Sequence, residues 1–388
     1  MSEAPVTPLG ADELAAWLHL LHTEGVGRDT ARRLLAHFGS PQAAVAAGPA
    51  DLAELVNPKI AQALARTLAQ APTGHALRLA KTLAWRSAGP ARRVMVLGDA
   101  DYPPLLLHSA DPPLLLYLQG RAALLNARSV AIVGSRQASA QGLDNARAFA
   151  RSLAQNGWAI VSGLAAGIDA AAHRGALEAD AEGGAGTVAV VGTGLDRIYP
   201  RSHQALTERI AEQGLLVSEL ALGTPPLAPN FPQRNRLIAG LSRGTLVVEA
   251  ALRSGSLITA RLAAEAGREV MALPGSLLAP QSHGCHALIR QGAALVTSPE
   301  QVLDELNGLP ALSLLDALAE PAAPPVTAQT TAEDTVLRAL GHDPLSLDAL
   351  INRCGWSAPA LSAHLLTLEL DGLVARLPGG LYQRRQSS

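Results

Sequence analysis

The feature that most constrains the fold of this 388-residue chain is a regular recurrence of short apolar runs in its middle. Seven runs begin roughly every 23 to 30 residues, and an amphipathic segment separates most neighbours. They cover residues 129–134, 158–163, 187–192, 215–219, 245–249, 269–273 and 294–297. Near-continuous apolar runs at this spacing are typical of doubly buried strands in right-handed βαβ units. The sequence therefore predicts an α/β fold: an extended Rossmann-like parallel sheet with helices on both faces.

The segments on either side of this sheet have different patterns. Residues 11–88 contain Ala- and Leu-rich helical stretches broken by glycine and proline, which predict a SAM-like or helix-hairpin-helix domain over 1–90. Residues 308–332 are rich in Pro, Ala and Thr, as is typical of a linker. Three short helical patterns and two strand-like runs around Gly379-Gly380 then predict a winged helix over 333–388. The sheet domain is accordingly expected over 91–307.

Composition and charge exclude several classes of protein. Apolar residues make up 48% of the chain and charged residues 16%, so most of it has enough apolar material for a packed core. The net charge of −2 excludes a basic coat, so a polyanion would have to bind at a local cluster of cations. Cys285 and Cys354 lie far apart without a CxxC pattern, which argues against a disulfide framework or zinc finger. With Asp12 and Glu13 near the start and no apolar run approaching membrane-spanning length, we expect a cytoplasmic protein with no membrane partner.

Glycines and arginines follow several of the predicted strands. Ligands of an open α/β sheet bind beyond the carboxyl ends of the strands, where glycine turns and helix N-termini present free N–H groups. Arginines at that edge add bidentate contacts to phosphates. Six arginines map to this carboxyl edge of the sheet: Arg136, Arg197, Arg201, Arg234, Arg236 and Arg253. The sequence predicts an anion site here, while pairing of some of these arginines with Glu219, Glu249 or Asp196 stays open as an alternative.

Several familiar anion-binding and catalytic motifs are missing from the sequence. The only lysines, Lys59 and Lys81, lie outside the sheet, which leaves no Walker A loop. The turn after the third strand lacks the last glycine of the dinucleotide fingerprint, and no G-x-S-x-G elbow is present. His283, Cys285 and His286 are metal-ligand types, but three side chains within four residues rarely face one ion. We therefore expect no cofactor, no metal and no catalytic residue.

Phe231 stands out among the few aromatic residues of the chain. Aromatic residues make up only 3%, and most others lie in apolar patterns typical of a core. Phe231 instead lies in a proline-flanked segment, interpreted as a loop, beside Arg234 and Arg236. An exposed ring between arginines can stack on an unpaired base while the cations neutralise the backbone. Single-stranded nucleic acid is the favoured ligand; a ring that plugs the loop is the alternative.

Six ordered strings carry a family resemblance: GSRQAS, SGLAAGIDAAAH, GTGLDRIYP, FPQRNRLIAGLS, VVEAALRSGSLITA and ALPG. Over residues 102–296 the chain resembles the DNA-processing protein A (DprA/Smf) family of natural transformation. The resemblance implies an extended Rossmann-type domain that binds single-stranded DNA, forms a homodimer and loads RecA onto incoming DNA. We expect such a recombination mediator to have no enzymatic activity of its own.

The resemblance also implies which residues bind DNA. The family's GSR arginine falls on Arg136, its basic position after the YP pair on Arg201, its loop aromatic on Phe231, and its RNR pair on Arg234 and Arg236. With the turns around them, the expected nucleic-acid-binding residues are Gly134, Ser135, Arg136, Gly163, Gly194, Arg201, Phe231, Arg234, Asn235 and Arg236.

The chain departs from the family at Ala228, where many members carry a lysine. This departure implies either weaker binding or compensation by a neighbouring arginine. The alternative function is a Rossmann-like nucleotide-processing enzyme with Glu249 or Asp169 as an acid or base. The PGGxGT-type loop of such enzymes is absent, because residues 273–276 read LPGS instead.

The two outer modules support separate hypotheses. Gly25-Val26-Gly27, followed by Arg28, Arg32 and Arg33, resembles a helix-hairpin-helix turn that could hold a phosphate, although an ordinary helical hairpin is an equal alternative. The expected recognition helix of the winged helix, residues 357–371, contains no Lys or Arg. Because major-groove readers need cations, we expect a protein-interaction or regulatory role for this module. Basic residues at 384 and 385 leave duplex contact open.

Overall fold

The structure, a computed structural model, describes residues 9–66 and 73–308 together with short stretches nearer the end of the chain. Those later positions are 336, 345–347, 350–351, 356, 361, 364–365, 367–369, 373–377 and 381–384. The chain divides into two compact units, Met1–Leu312 and Ser313–Ser388. The expected linker lies outside the described residues apart from Gly308, and the domain boundaries at residues 90, 307 and 332 stay predictions.

Short helices open the first unit. They are α1 Ala11–His22, α2 Arg28–Phe38, α3 Pro41–Ala46, α4 Pro49–Ala53, α5 Pro58–Leu64 and α6 Thr73–Ser87. Side-chain caps and proline in the first turn explain two of the starts, because the Ser40 hydroxyl and the Asn57 carboxamide accept backbone N–H groups of α3 and α5. Leu14 and Trp17 of α1 share a core with Tyr117 of the sheet. This helical segment therefore packs directly on the sheet.

Nine strands in the described part of the chain form one sheet. They are β1 Arg92–Val96, β2 Leu115–Gly120, β3 Ser129–Val133, β4 Ala159–Ser162, β5 Thr187–Val190, β6 Leu215–Ser218, β7 Gly244–Val247, β8 Glu269–Ala272 and β9 Ala294–Leu295. Their order is β1-β2-β6-β5-β4-β3-β7-β8-β9, and the strands from β6 to β9 in that order are parallel. The predicted α/β fold and all seven predicted strands are confirmed. The antiparallel pair β1–β2, which joins β6 antiparallel, extends the sheet beyond them.

Helices cover both faces of the sheet. Successive residues of a strand enter different cores: Val130 and Ile132 of β3 lie in one, Ala131 and Val133 in the other. The helices are α7 Pro104–Leu107, α8 Ala140–Gln155, α9 Ile168–Asp180, α10 Gln204–Gln213, α11 Asn230–Leu241, α12 Ser256–Glu265, α13 His283–Arg290 and α14 Pro299–Asn307. Three 3-10 turns join them, at Ala122–Asn126, Arg201–His203 and Pro280–Ser282. Burial on both faces explains why the strands are almost wholly apolar.

The strand order reverses at β3. The chain runs from β3 outward to β4, β5 and β6, and then crosses to β7 on the other side of β3. In open α/β sheets the crevice at such a reversal, beyond the carboxyl ends of the strands, is where ligands bind. The turns that follow β3, β4 and β5 meet at this edge.

The second unit has the strand arrangement expected of a winged helix. β10 Leu345–Ser346, β11 Val374–Leu377 and β12 Leu381–Arg384 form a sheet in the order β10-β12-β11. β11 and β12 pair antiparallel with Leu377 opposite Leu381, which confirms the predicted hairpin. Val336, Leu350 and Leu361 contribute to the buried core of this unit. Of the expected recognition helix, positions 361, 364–365 and 367–369 are helical, and the rest lies outside the described residues.

Candidate nucleic-acid interface

A small cavity of about 90 Å³ lies at the carboxyl edge of the sheet, where the strand order reverses. The turns after β3, β4 and β5 and the first turn of α11 surround it. Its lining residues are Arg136, Gly163, Leu164, Ala165, Ala166, Val191, Gly192, Thr193, Tyr199, Pro200, Phe231 and Arg234. Four of the ten predicted site residues, Arg136, Gly163, Phe231 and Arg234, are therefore brought together here.

Arg136 is an exposed cation at the mouth of this cavity. Its guanidinium carbon lies 5.6 Å from the centroid of the Phe231 ring, within the range of a cation–π contact. The turn that carries it is held from below, because Ser135 donates its backbone N–H to the carbonyl of Glu249 at 2.7 Å. Within the described part of the chain, no carboxylate forms an ion pair with Arg136. Its charge is available to an anionic ligand.

Phe231 lies in the first turn of α11, so the interpretation of this segment as a loop is wrong. The ring is half-buried and packs against Gly192: a Cβ atom at position 192 would come within 2.9 Å of it. The rings of Phe231 and Tyr199 are 5.5 Å apart and inclined at 43°. These neighbours hold the ring in place, as expected for a ring that fills space in the fold. The ring also lines the cavity, as expected for a ring that can stack on a base.

Arg234 is buried, which corrects the expectation that its guanidinium lies exposed on the rim. The residue is 7% exposed, and Nη1 donates to the carbonyl of Gly163 at 2.6 Å and to that of Val190. Burial lowers the pKa of Arg234 to about 10, and the nearby Asp169 opposes this shift. The guanidinium therefore remains charged at neutral pH, but two backbone carbonyls already accept from it.

Asp169, at the start of α9, is buried beneath the turn that follows β4. Its carboxylate accepts backbone N–H groups from Gly163 at 3.1 Å and Ala165 at 3.3 Å. Burial raises the pKa of Asp169, while Arg234 and these two donors act in the opposite direction. Between the donors, Leu164 has a left-handed φ of 57°, a conformation that costs a bulky residue about 1–2 kcal/mol. The carboxylate thus serves the turn, which leaves it poorly placed as a catalytic acid or base.

Arg236 is also not on the rim; it belongs to an ion-pair cluster that we call the Asp111 cluster. Its Nη2 lies 2.5 Å from both carboxylate oxygens of Glu219, and its Nη1 donates to the carbonyl of Asp111 at 2.6 Å. Arg28 and Arg32 of α2 pair with the Asp111 carboxylate at 2.8 and 2.6 Å. These two arginines of α2 therefore join the helices to the sheet, while a phosphate site at the backbone of the Gly25-Val26-Gly27 turn stays a prediction.

The remaining predicted site residues do not line the cavity. Gly134 and Gly194 are positions of close packing, where a Cβ atom would come within 2.8 Å of the Glu249 carbonyl and 2.6 Å of the Ala221 carbonyl, respectively. Asn235 donates its side-chain amide to the carbonyl of Gly255 at 3.3 Å. Ser135 donates its backbone N–H to Glu249, and its hydroxyl accepts the backbone N–H of Gln137 at 3.1 Å. Arg201 is exposed, and so is Ala228, the position at which the chain departs from the family pattern.

Sequence reasoning missed Tyr199 as a site residue. Its side chain is 43% exposed, and it lines the cavity beside Phe231. The signal was present, since an aromatic residue next to proline follows a predicted strand in a chain with few aromatics.

The residues considered for catalysis or metal binding are engaged in structural contacts. The Glu249 carboxylate accepts the backbone N–H of Ser139 at 2.9 Å and its hydroxyl at 2.5 Å, at the N-terminus of α8. Ring nitrogens of His283 and His286 bond to backbone carbonyls at 3.1 and 3.0 Å, and Cys285 is buried. In the described ranges, no three His, Cys, Asp or Glu side chains are grouped so as to hold a metal ion. The helices in those ranges are also too short or too polar to cross a membrane.

Sequence models of three domain families match consecutive parts of the chain. The model of DNA recombination-mediator protein A matches residues 93–307. A DprA-like N-terminal HHH domain matches 11–67, and a DprA winged helix domain matches 320–380. The chain belongs to the DprA/Smf family. These matches agree with the Rossmann-like sheet, the N-terminal helices and the C-terminal hairpin described above.

Known members of the DprA/Smf family are similar over most of the chain. Protein Smf of Escherichia coli is 44% identical over 303 residues, which cover 76% of this chain and 78% of that protein. Protein Smf of Synechocystis is 35% identical over 404 residues, which cover 96% and 99%. The X-ray structure of DNA processing protein A from Streptococcus pneumoniae superimposes with a TM-score of 0.65 at 38% identity, over 77% of this chain and 99% of that one.

Proposed function

We propose that this DprA/Smf protein is a single-stranded DNA-binding recombination mediator, and that the cavity at the carboxyl edge of its sheet is part of the DNA site. The observation that carries the proposal is the placement of Arg136, exposed and without a carboxylate partner in the described chain, directly over the ring of Phe231. A cation beside an aromatic face is the pair of groups that a phosphate and its neighbouring base require.

The dimensions of the site favour an unpaired strand. The cavity measures about 90 Å³, which suits a single chemical group rather than the face of a duplex. Phe231 and Tyr199 offer ring surface only to a base that is free to leave its stack, whereas Arg136 can meet the phosphate beside it. The sheet domain as a whole is close to electrically neutral, so binding depends on this edge rather than on the overall charge.

The cellular role that we propose follows the family. The matching domain family is described as a recombination mediator, and the relatives from S. pneumoniae and Bacillus subtilis as DNA processing proteins. In our proposal the protein acts in the cytoplasm as a homodimer, binds incoming single strands during natural transformation and loads RecA onto them. It does so without catalysing a reaction of its own.

The decisive experiment is a salt titration of binding to a single-stranded oligonucleotide and to the matching duplex. We expect tighter binding of the single strand at every salt concentration, with affinity falling as salt rises because phosphate contacts release counterions. Duplex preference, or no binding at all, would refute the proposal. Sedimentation of the free protein tests the homodimer, and RecA filament formation on the same oligonucleotide tests loading.

A further inference from the structure

We propose that Arg234 is a positioning residue of the DNA site: its buried guanidinium holds the turn after β4 and the start of α11 in the arrangement in which Arg136 and Phe231 meet DNA, and it does not itself contact a phosphate. This inference rests on the proposed function, since it assigns a role within the same site.

Arg234 ties three elements of the fold together. The residue belongs to α11 and is more than nine-tenths buried. Its Nη1 donates to the carbonyls of Gly163 and Val190, which lie at the carboxyl ends of the neighbouring strands β4 and β5. Hydrogen bonds from a charged donor are about twice as strong as neutral ones, so this link is a firm one. Gly163 has to be glycine, because a Cβ atom there would overlap the guanidinium.

The turn that Arg234 holds, at residues 163–165, has a strained backbone. Leu164 is in the left-handed region, which a bulky residue occupies only when its surroundings enforce it. Arg234 donates a hydrogen bond to the carbonyl of Gly163, the residue before Leu164. The Asp169 carboxylate takes the N–H groups of Gly163 and Ala165. Arg234 therefore holds the carbonyl side of this turn, and Asp169 holds its N–H side.

The turn after β4 also contacts the backbone that carries Arg136. Gly167, with φ of +81°, packs so closely that a Cβ atom there would come within 2.9 Å of the backbone carbonyl of Arg136. The next residue, Ile168, donates its N–H to the carbonyl of Ser135 at 3.2 Å. A displacement of the turn would therefore displace the backbone from which the Arg136 side chain extends.

Arg234 is also linked to Phe231 through α11. The two residues are three apart on α11, and residues at that spacing lie on one face of a helix. Arg234 is anchored at Val190, the last residue of β5, and Phe231 packs on Gly192, two residues further along the same turn. Loss of the anchor would free the first turn of α11 to shift, and the ring would leave its place under Arg136.

The main test compares salt slopes of two matched variants, Arg136→Gln and Arg234→Gln, on a single-stranded oligonucleotide. Losing one phosphate contact lowers the slope by roughly 0.7 on single strands, so we expect this from Arg136→Gln. Arg234→Gln should weaken binding roughly tenfold and lower the slope by no more than Arg136→Gln does, because a misplaced Arg136 loses at most its one phosphate contact. The double variant Arg136→Gln/Arg234→Gln should then keep the slope of Arg136→Gln. Arg234→Lys, which keeps charge and donors, should recover part of the affinity. Measurements are made below the unfolding temperature of each variant.

Two outcomes of this comparison would overturn the inference. A slope of the double variant that falls by about a further 0.7 below that of Arg136→Gln would show a direct phosphate contact of Arg234. Wild-type affinity in Arg234→Gln would show that the residue serves only the fold. If the wild-type protein binds no single strand, the proposed function fails, and the positioning role fails with it; binding by the wild type together with either outcome above refutes the positioning role alone.

A second measurement uses the wild-type protein, so it does not depend on the folding of a variant. Phenylglyoxal modifies accessible arginines, and mass spectrometry locates the modified positions. We expect Arg136 to react in the free protein and to be protected by the oligonucleotide, while Arg234 stays unmodified with or without DNA. Modification of Arg234 that DNA suppresses would overturn the inference.

Discussion

Arg236 and Glu219 form a partly buried ion pair in the first unit: Nη2 of Arg236 lies 2.5 Å from each carboxylate oxygen of Glu219. The two side chains are only 15% and 17% exposed. Arg28 of α2 lies 3.7 Å from the same carboxylate, so the pair belongs to the contact between the helical segment and the sheet. Arg236, which was predicted to bind DNA, therefore stabilises the contact between the helical segment and the sheet.

Removal of the Glu219 carboxylate should destabilise the protein. The Glu219→Ala variant removes one partner of the partly buried Arg236 while the Asp111 carboxylate stays 3.3 Å away, so we expect a loss of about 1.5–3 kcal/mol. Urea denaturation measures the free energy of unfolding. The matched control is Asp29→Ala, which removes an exposed partner of Arg33 and should change that free energy by less than about 1 kcal/mol. Equal losses in the two variants would contradict the buried role of Glu219.

Replacement of Arg136 by alanine should weaken DNA binding and flatten its salt dependence. The exposed guanidinium neutralises about one phosphate in our proposal, which corresponds to a change of roughly 0.7 in the slope of log affinity against log salt. Fluorescence anisotropy of a labelled oligonucleotide measures both quantities. Arg151→Ala is the control, because Arg151 lies on α8 outside the cavity and pairs with Glu182 at 2.6 Å. An unchanged slope in Arg136→Ala would remove this residue from the site.

Replacement of Phe231 should weaken DNA binding without changing its salt dependence. Stacking on an aromatic ring is worth about 1–3 kcal/mol per base and releases few counterions. Phe231→Ala should therefore lower affinity by about that free energy while the salt slope stays constant, and Phe231→Trp should retain binding because it preserves a ring. The same anisotropy titration applies. Full affinity in Phe231→Ala would show that the ring only fills space against Gly192.

Acid should destabilise the protein through its buried histidines. Burial lowers the pKa of His22 to about 4, with Arg78 and His75 adding to the shift, and burial lowers that of His173 to about 3. In the folded protein both rings therefore stay neutral at a pH where the unfolded chain already binds protons. Their contribution to stability is complete above the ordinary pKa of 6.5 and is lost as the pH falls from there toward 4.

Thermal unfolding between pH 7.5 and 4.5 measures this effect. We expect the unfolding temperature of the wild type to fall steadily below pH 6.5, and His22→Gln to reduce the steepness of that fall. His108→Gln is the control, because His108 is exposed and its ring bonds to the carbonyl of Pro104, within its own helical turn, at 2.7 Å. Identical pH profiles for the wild type and His22→Gln would refute the assignment.

Removal of the winged helix should leave single-strand binding almost intact. The proposed site lies wholly within the first compact unit, Met1–Leu312. A chain that ends at residue 312 should bind the single-stranded oligonucleotide within about twofold of full-length affinity. The isolated fragment 333–388 should bind duplex DNA weakly, because residues 357–371 contain no Lys or Arg. Nanomolar duplex affinity of this fragment at physiological salt would show that it reads DNA.

The central sheet could be predicted because its signal is local and repeated. Each of the strands β3 to β9 is a short apolar run, and the helices between them impose a regular spacing. The antiparallel pair β1 and β2 was not predicted, because the segment that joins its strands lacks the regular spacing of the other apolar runs. The position of β2 beside β6 depends on pairing with residues almost a hundred positions away, and no local pattern encodes such a distance.

The two arginines of the RNR motif show where sequence reasoning ended. The sequence by itself determined that a glycine- and arginine-rich edge follows the strands, and that Arg136 and Phe231 belong to it. It placed Arg234 and Arg236 together because they are two residues apart. On a helix that spacing is a rotation of about 200°, so the side chains point to opposite sides of α11. Only the tertiary structure decided that one enters the ends of β4 and β5 and the other the Asp111 cluster, because burial and partner distance depend on the packing of elements far apart in the chain.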